Sequence, residues 1–319
     1  MLREEVIFDF CRQAVDRDAV ARQLGEVGYV VLRNLFPTET IDEVVEAVIR
    51  NCERPAVAGV PGYWKVDHPK KIFNPFLLGG SVVDLLVNEF VIDLVETYMG
   101  SPCVLAEANV KVDEPTLYEY FPVHADFDVG WRKSEEMEQR LSAEELALPI
   151  GVGGALYLHD VNEGAFSYCE GTHKLMAPHG ADLRGYPEAE RQEILNKRVR
   201  IDGLKGDLVI FDDRGFHGPA QPSTAQRTVI LLDYYRVDTF GYFQVSPMPI
   251  WSSDIGRMSD KQLRVAGAGA DYWIPPEKYM GARFRRNPVY SLVTKLVENA
   301  YLWPHFRQRI KENLNRMRR

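Results

Sequence analysis

The residues of this chain best suited to chemistry are two histidines, an aspartate and an arginine, spaced so that β-structure can bring them together. His124-Ala125-Asp126 follows a β-type run, and His217 lies 93 residues later, after the apolar run Asp207–Asp212 and the turn Asp213-Arg214-Gly215-Phe216. Ten residues beyond His217, Arg227 opens the most apolar strand of the chain, Arg-Thr-Val-Ile-Leu-Leu-Asp-Tyr-Tyr235. Side chains two apart on a strand share a face, so His124 and Asp126 can present donors together, with His217 arriving from another strand. Two neutral imidazoles and one carboxylate can fill one face of an octahedral Fe(II) and leave three positions open. A 2-oxoacid takes two of these through its keto oxygen and C1 carboxylate, and O2 takes the third. Arg227 on an adjacent strand could grip the far carboxylate through a planar two-point contact.

Each piece also has an ordinary structural reading. A His-x-Asp triplet arises by chance, a histidine at a strand end is commonly hydrogen-bonded scaffold, and an isolated arginine commonly serves in a surface ion pair. The combination in a β-rich frame is what points to a metal site. Two other classes stay open at this stage. One is a cupin-like metal enzyme of another reaction type, for which Arg227 has no use. The other is an inactive scaffold binding a partner or membrane through a basic C-terminus, for which intact ligands have no use.

The elements that must position these residues are legible in outline. Val20, Leu24 and Val27 form one helical face that ends at Gly25 and Gly28; the segment 28–36 reads as a strand; Ile41, Val44, Val45, Val48 and Ile49 mark a second helix. From about Ser101 short β-type runs take over: Val104–Val112, Leu117–Val123, Gly154–His159, Ala165–Cys169, Asp207–Asp212 and Arg227–Tyr235. Many short strands broken by turns indicate a sandwich or barrel, so the expected class is mainly β with flanking helices. Helical insertions near Lys133–Leu146 and Pro187–Lys197 are candidates for the walls or lid of a pocket. The division expected is residues 1–245 as the β domain and 246–319 as a helical extension, packed on that domain or at a homo-oligomer interface.

Hydrophobic content of 45% and charged content of 26% are those of a globular protein. No apolar run approaches the roughly 18–20 residues that span a bilayer, and the acidic start MLREEVIFDFCRQ is unlike a signal peptide, so a cytoplasmic protein without a transmembrane segment is expected. Cys11, Cys52, Cys103 and Cys169 lie far apart and form no zinc pattern. From Ala282 to Arg319 there are ten Lys/Arg against two Glu, so within a net charge of −8 the rest of the chain carries −16. An acidic body disfavours general nucleic-acid binding and leaves a small molecule as the expected partner.

At these residues the chain resembles the phytanoyl-CoA dioxygenase (PhyH) family of Fe(II)/2-oxoglutarate oxygenases. The resemblance rests on the opening strand and helix from Gly28 to Glu43, on Gly154–Lys174 with its Gly171-Thr172-His173 turn, and on Gly206–Ala220, which carries His217. It spans roughly residues 15–237. It implies a double-stranded β-helix (a jelly-roll, cupin-like core), iron held by His124, Asp126 and His217, 2-oxoglutarate anchored by Arg227, and a loop role for His173. The implied reaction is decarboxylation of 2-oxoglutarate to succinate and CO2, coupled to hydroxylation, desaturation or epoxidation of a small metabolite. Ala125 stands where the family often has a polar residue, so the hand on the C1 carboxylate is sought at Asn109 and Lys111. Asp126 is retained, whereas halogenating relatives lose that carboxylate. Candidate substrate contacts are Trp131 and Arg132 first, with Tyr157 and Phe216, and more widely Tyr63, Trp64, Phe127 and Arg236.

Overall fold

The computed structural model describes residues 3–52, 70–73, 75–116, 121–127, 142, 148–237 and 250–267. In chain order these form β1 (Ile7–Asp9), α1 (Arg17–Val27), β2 (Tyr29–Arg33), α2 (Thr38–Cys52), β3 (Lys70–Phe73), α3 (Ser81–Leu86), α4 (Glu89–Met99) and β4 (Cys103–Asp113). Next come β5 (Gly151–Tyr157), β6 (Val161–Cys169), α5 (Glu188–Asn196), β7 (Arg198–Gly203), β8 (Leu208–Asp212), β9 (His217–Pro219) and β10 (Arg227–Arg236). Short helices α6 (Ser252–Ile255) and α7 (Asp260–Val265) come last.

Two sheets face each other, one of seven strands in the order β1-β2-β8-β5-β10-β4-β3 and one of three in the order β7-β6-β9. β10 lies between β4 and β5, antiparallel to both, and its alternation sorts residues to two environments. Ile230, Leu232 and Tyr234 point outward into a large core with Val20, Leu24, Val44, Leu86 and Ile92 of the helices. Val229 points inward and packs with Ala155, Tyr157, Phe166, Tyr168 and Ile201 between the sheets. The inner face of β10 therefore reads Arg227, Val229, Leu231, Asp233, Tyr235, and this row lines the interior in which a site can form. This is the double-stranded β-helix expected from the sequence.

α1 shows how local chemistry fixes the frame. Asp16 caps its start by accepting the Asp18 amide at 3.1 Å. Gly28 ends it at φ +95°, and a Cβ at that position would lie 2.5 Å from the Tyr168 ring, so only glycine lets β2 leave so close to β6. Gly25, expected to mark that end, lies inside the helix.

The expected strands at Val104–Val112, Gly154–His159, Ala165–Cys169, Asp207–Asp212 and Arg227–Tyr235 are present with small changes of boundary. Of Leu117–Val123, residues 121–123 are not strand and the rest lies outside the described residues. The structure adds α3, α4, β1, β3 and β7. The helix expected near Pro187–Lys197 is present as α5, but it is not a wall of the cavity. Its Ile194 packs with Val123, Ala125, Leu183 and Phe216, behind the loops that carry the histidines. The insertion near Lys133–Leu146 and the helical extension expected within 246–319, apart from 250–267, lie outside the described residues.

Candidate metal centre

The two histidines are paired through their backbones. His124 N–H donates to His217 C=O at 3.0 Å and His217 N–H returns the bond to His124 C=O at 2.7 Å. Asp126 is tied in by its own N–H to Asp213 C=O at 2.9 Å. The turn before His217 is held from three sides. Buried Asp212 accepts from Arg214 Nε at 2.8 Å and from Tyr98 Oη at 2.6 Å, and the Tyr168 hydroxyl donates to its carbonyl at 3.0 Å. Full burial would raise the Asp212 carboxyl, yet the Arg214 hydrogen bond and charge hold it below the ordinary range. Thr172, in the Gly-Thr-His turn, accepts the Phe216 amide at 2.9 Å and so fixes the approach to His217 from β6.

The side chains converge on one point. One donor atom from each of His124, Asp126 and His217 lies within 4.8 Å of the others. His124 Nε2 is 3.4 Å from Asp126 Oδ1, and His217 Nε2 is 3.4 Å from Asp126 Oδ2. Neighbouring donors on an octahedral ion with bonds of ~2.1 Å lie about 3 Å apart, so the three donors would draw together on binding one. The outer ring nitrogens are already committed, His124 Nδ1 to Pro122 C=O at 3.0 Å and His217 Nδ1 to Gly215 C=O at 2.9 Å. A carbonyl can only accept, so both Nδ1 atoms carry a proton, and each ring in its neutral form aims an Nε2 lone pair toward the Asp126 carboxylate. Three lone-pair donors facing one another call for a cation, and this backbone-carbonyl support is how metal-binding histidines are oriented. Burial pushes the His217 imidazole down to about 4, Asp126 opposing, which keeps it neutral and ligating. Burial also acts against charge on His124, but the Asp126 hydrogen bond and charge outweigh it and raise that ring. Burial would raise Asp126, but His217 and His124 together lower it.

The donors open on a cavity of about 320 Å³ that is also lined by Phe121, Phe166, Phe211, Leu231, Asn109, Lys111, Arg227 and Asp233. Arg227, 4% exposed, donates Nε to Asp113 Oδ2 at 3.0 Å, and its Nη2 bonds the same oxygen. Lys111 Nζ lies 3.3 Å from Asp113 Oδ1. Burial and the Arg227 charge push the Lys111 ammonium down to about 8, against the pull of Asp113. Two cations thus share one carboxylate at the cavity wall, a setting with capacity for a second anion. Asn109 reaches the cavity as well, but its Nδ2 donates to Glu107 at 2.8 Å, so the group it offers is an acceptor oxygen.

Two expected substrate contacts are placed elsewhere. Tyr157 is wholly buried between the sheets, its hydroxyl donating to Ile201 C=O at 2.7 Å and accepting the Phe166 amide at 3.0 Å. Phe216 is wholly buried behind the ligand loops, edge-on to Tyr186 with ring centres 5.3 Å apart. Strand face decides the first and loop packing the second, rather than aromatic character. Phe127 is buried against Tyr235, with ring centres 5.4 Å apart, and Arg236 is buried on the opposite face of β10. Trp131, Arg132, Tyr63 and Trp64 lie outside the described residues. His173 is no part of the triad; its Nε2 bonds Gly25 C=O at 3.1 Å. Sequence reasoning missed Asp113, Glu107 and Asp233, because no local spacing links residues paired across strands. It also missed Thr172, although the Gly-Thr-His turn was visible.

No family model and no curated protein matches the chain. Solved structures do, and they define its class by fold. EctD from S. alaskensis, solved with 2-oxoglutarate and 5-hydroxyectoine, aligns at a TM-score of 0.55 and 17% identity over 71% of this chain and 77% of that one. The same protein with bound Fe aligns at 0.53 and 16%, covering 71% and 78%. The epimerase SnoN, in complex with Fe3+, alpha ketoglutarate and nogalamycin RO, aligns at 0.50 and 18%, covering 69% and 84%. At such identities the likeness is one of fold, and the chain has the fold of these proteins. Among the described residues no helix is long and apolar enough to cross a membrane.

Proposed function

We propose that this chain is an Fe(II)- and 2-oxoglutarate-dependent oxygenase acting on a small organic molecule. The observation that carries this reading is the convergence of His124 Nε2, His217 Nε2 and Asp126 on one point, with both Nδ1 atoms spent on carbonyls. Three protein donors on one face suit an octahedral ion with open positions rather than a closed structural site. Iron bound there supplies oxidative decarboxylation of 2-oxoglutarate to succinate and CO2, coupled to oxidation of a substrate carbon. That EctD and SnoN were solved with 2-oxoglutarate on this fold supports the reading.

The chain's own groups have distinct tasks in it. Carbonyls of Pro122 and Gly215 hold the Nδ1 proton of each imidazole, so Nε2 is the atom each ring turns toward the metal position. Arg227, steadied by Asp113, takes the far carboxylate of 2-oxoglutarate through paired N–H donors, and Lys111 adds positive charge beside it. Phe121, Phe166, Phe211 and Leu231 exclude water from the reacting centre. Arg227 and its anion setting disfavour a cupin-like hydrolase or isomerase, which has no second anion to hold.

The test is turnover without added substrate. Aerobic protein supplied with Fe(II) and 2-oxoglutarate is expected to form succinate slowly, and His217→Ala to form none. Equal succinate from wild type and His217→Ala would remove the assignment.

A further inference from the structure

The cavity has a second charged wall that neither the iron site nor 2-oxoglutarate uses. Asp233 on β10 and Glu107 on β4 are direct cross-strand partners. Glu107 is exposed to water, whereas burial, Asp126 and Glu107 push the Asp233 carboxyl well above its ordinary range, so full charge on both acids is costly without a cation between them. Glu107 accepts from Asn109, but the Asp233 side chain makes no hydrogen bond or ion pair among the described residues. On its other side Asp233 faces Gly153 of β5, which offers no side chain as a partner and over which the Phe211 ring lies. Next to that glycine lies Asp213: a Cβ on Gly153 would sit 2.7 Å from its Oδ1. Asp213 is wholly buried behind the cavity, where the Gly153 amide is the donor near its oxygens.

Asn109 supplies an independent sign. It is 2% exposed, lines the cavity, and its Oδ1 has no hydrogen-bond partner among the described residues. Because Glu107 can only accept, the Asn109 nitrogen is committed to it and the oxygen is what remains for a ligand. Buried acceptors left without donors are rare in folded proteins and call for a partner. Among the described lining residues, Lys71 of β3 is the cation that acts on Asp233, one ammonium beside the carboxyls of Asp233 and Glu107. The rest of the lining that is not ligand or anion anchor, Phe121, Phe166, Phe211 and Leu231, is apolar.

We propose that this wall anchors the substrate through a cationic nitrogen group, a protonated amine or an amidinium. The group sits between Asp233 and Glu107 and donates one N–H to Asn109 Oδ1, while an apolar or aromatic body lies against the phenylalanines. The inference rests on the proposed function, since the molecule to be oxidised brings the cation. It sets the substrate class as amine-bearing rather than acidic. A carboxylate at this wall would meet Glu107, Asp233 and an Asn109 oxygen that can only accept.

The test is binding to the full-length protein loaded with Zn(II) and 2-oxoglutarate, read by calorimetry with benzylammonium, benzyl alcohol and benzoate as matched probes. Benzylammonium is expected to bind about tenfold or more tighter than benzyl alcohol, the difference one charged hydrogen bond makes, and benzoate more weakly than either. In Asp233→Asn that preference is expected to fall to about twofold or less, while Glu46→Gln, an exposed change on α2, leaves it intact. Equal binding of amine and alcohol to wild type, no binding of the amine, or a preference that survives Asp233→Asn would each overturn the proposal. The probes need no turnover, so the two readings fail separately. A protein that shows the preference but forms no succinate loses the oxygenase assignment and keeps the subsite. One that forms succinate without the preference does the reverse.

Discussion

The inner face of β10 carries Arg227 at one end and Asp233 six residues on, and the structure treats these two charges in opposite ways. Arg227 is buried and held by two hydrogen bonds to Asp113, with Lys111 at the same carboxylate. Asp233 faces a second carboxyl across the strand and a glycine on the other side, and burial beside Asp126 and Glu107 pushes its own carboxyl well up. One end is organised before any ligand arrives; the other is organised only if a ligand completes it. The comparison teaches that preformed and incomplete electrostatics can occupy one strand, and that each marks a different kind of occupant. A co-substrate common to every turnover suits the preformed end. The molecule that differs between enzymes of this fold suits the end that waits.

The largest effect expected is at the centre between these ends. His217→Ala removes one of three donors, and divalent metal affinity should fall by more than about 100-fold in a competition titration, with the fold retained by far-ultraviolet circular dichroism. Next is the preformed end itself. Arg227→Ala leaves Asp113 without its main partner and 2-oxoglutarate without its anchor, so the Kd for 2-oxoglutarate should rise about 100-fold, and Arg227→Lys should recover only part of that. An unchanged Kd in Arg227→Ala would mean that the arginine serves the fold alone.

A pH measurement sharpens the same contrast. The Lys111 ammonium is held down at about 8 by burial and Arg227, so folding is opposed by its charge whenever the pH lies below that value. Lys111→Met should therefore be more stable than wild type at pH 7, by about 3 kcal/mol at most. The gap should close as the pH rises from about 8 through the ordinary lysine range, where the unfolded side chain also loses its proton. Parallel stability curves for the two proteins from pH 7 to 11 would contradict this. The smallest effect belongs to the open end: Gly153→Ala places a Cβ 2.2 Å from the Phe211 ring and 2.7 Å from Asp213. Repacking around it should cost about 2 kcal/mol in urea unfolding and shrink the space beside Asp233.

How far the sequence could be read follows from which constraints are local. His124, Asp126, His217 and Arg227 were legible because ligand chemistry restricts residue type and strand geometry restricts spacing. The strands around them were legible because each is apolar and bounded by turn residues. β7 was passed over although Arg198-Val-Arg-Ile-Asp-Gly203 alternates polar and apolar residues as a half-buried strand does, because it carries only two apolar side chains. Tyr157 was misplaced because an aromatic residue on a strand announces burial but not which face it occupies, and Phe216 because a turn residue's packing depends on loops distant in the chain. Asp113 and Glu107 became visible only through register: residues 114 and 126 positions away along the chain sit directly opposite Arg227 and Asp233. Thr172 lay in plain sight, but its task is a hydrogen bond to the backbone of Phe216, which no side-chain pattern reveals.

The measurement that tests the central claim most directly is an anaerobic titration of Fe(II)-loaded protein with 2-oxoglutarate, followed by visible absorption. Chelation of the metal by the keto oxygen and C1 carboxylate gives a weak charge-transfer band. The site described here predicts that band in wild type, its loss in His217→Ala, and its appearance in Arg227→Ala only at much higher 2-oxoglutarate. Iron-loaded wild type that shows no band at saturating 2-oxoglutarate would contradict the assignment of this centre.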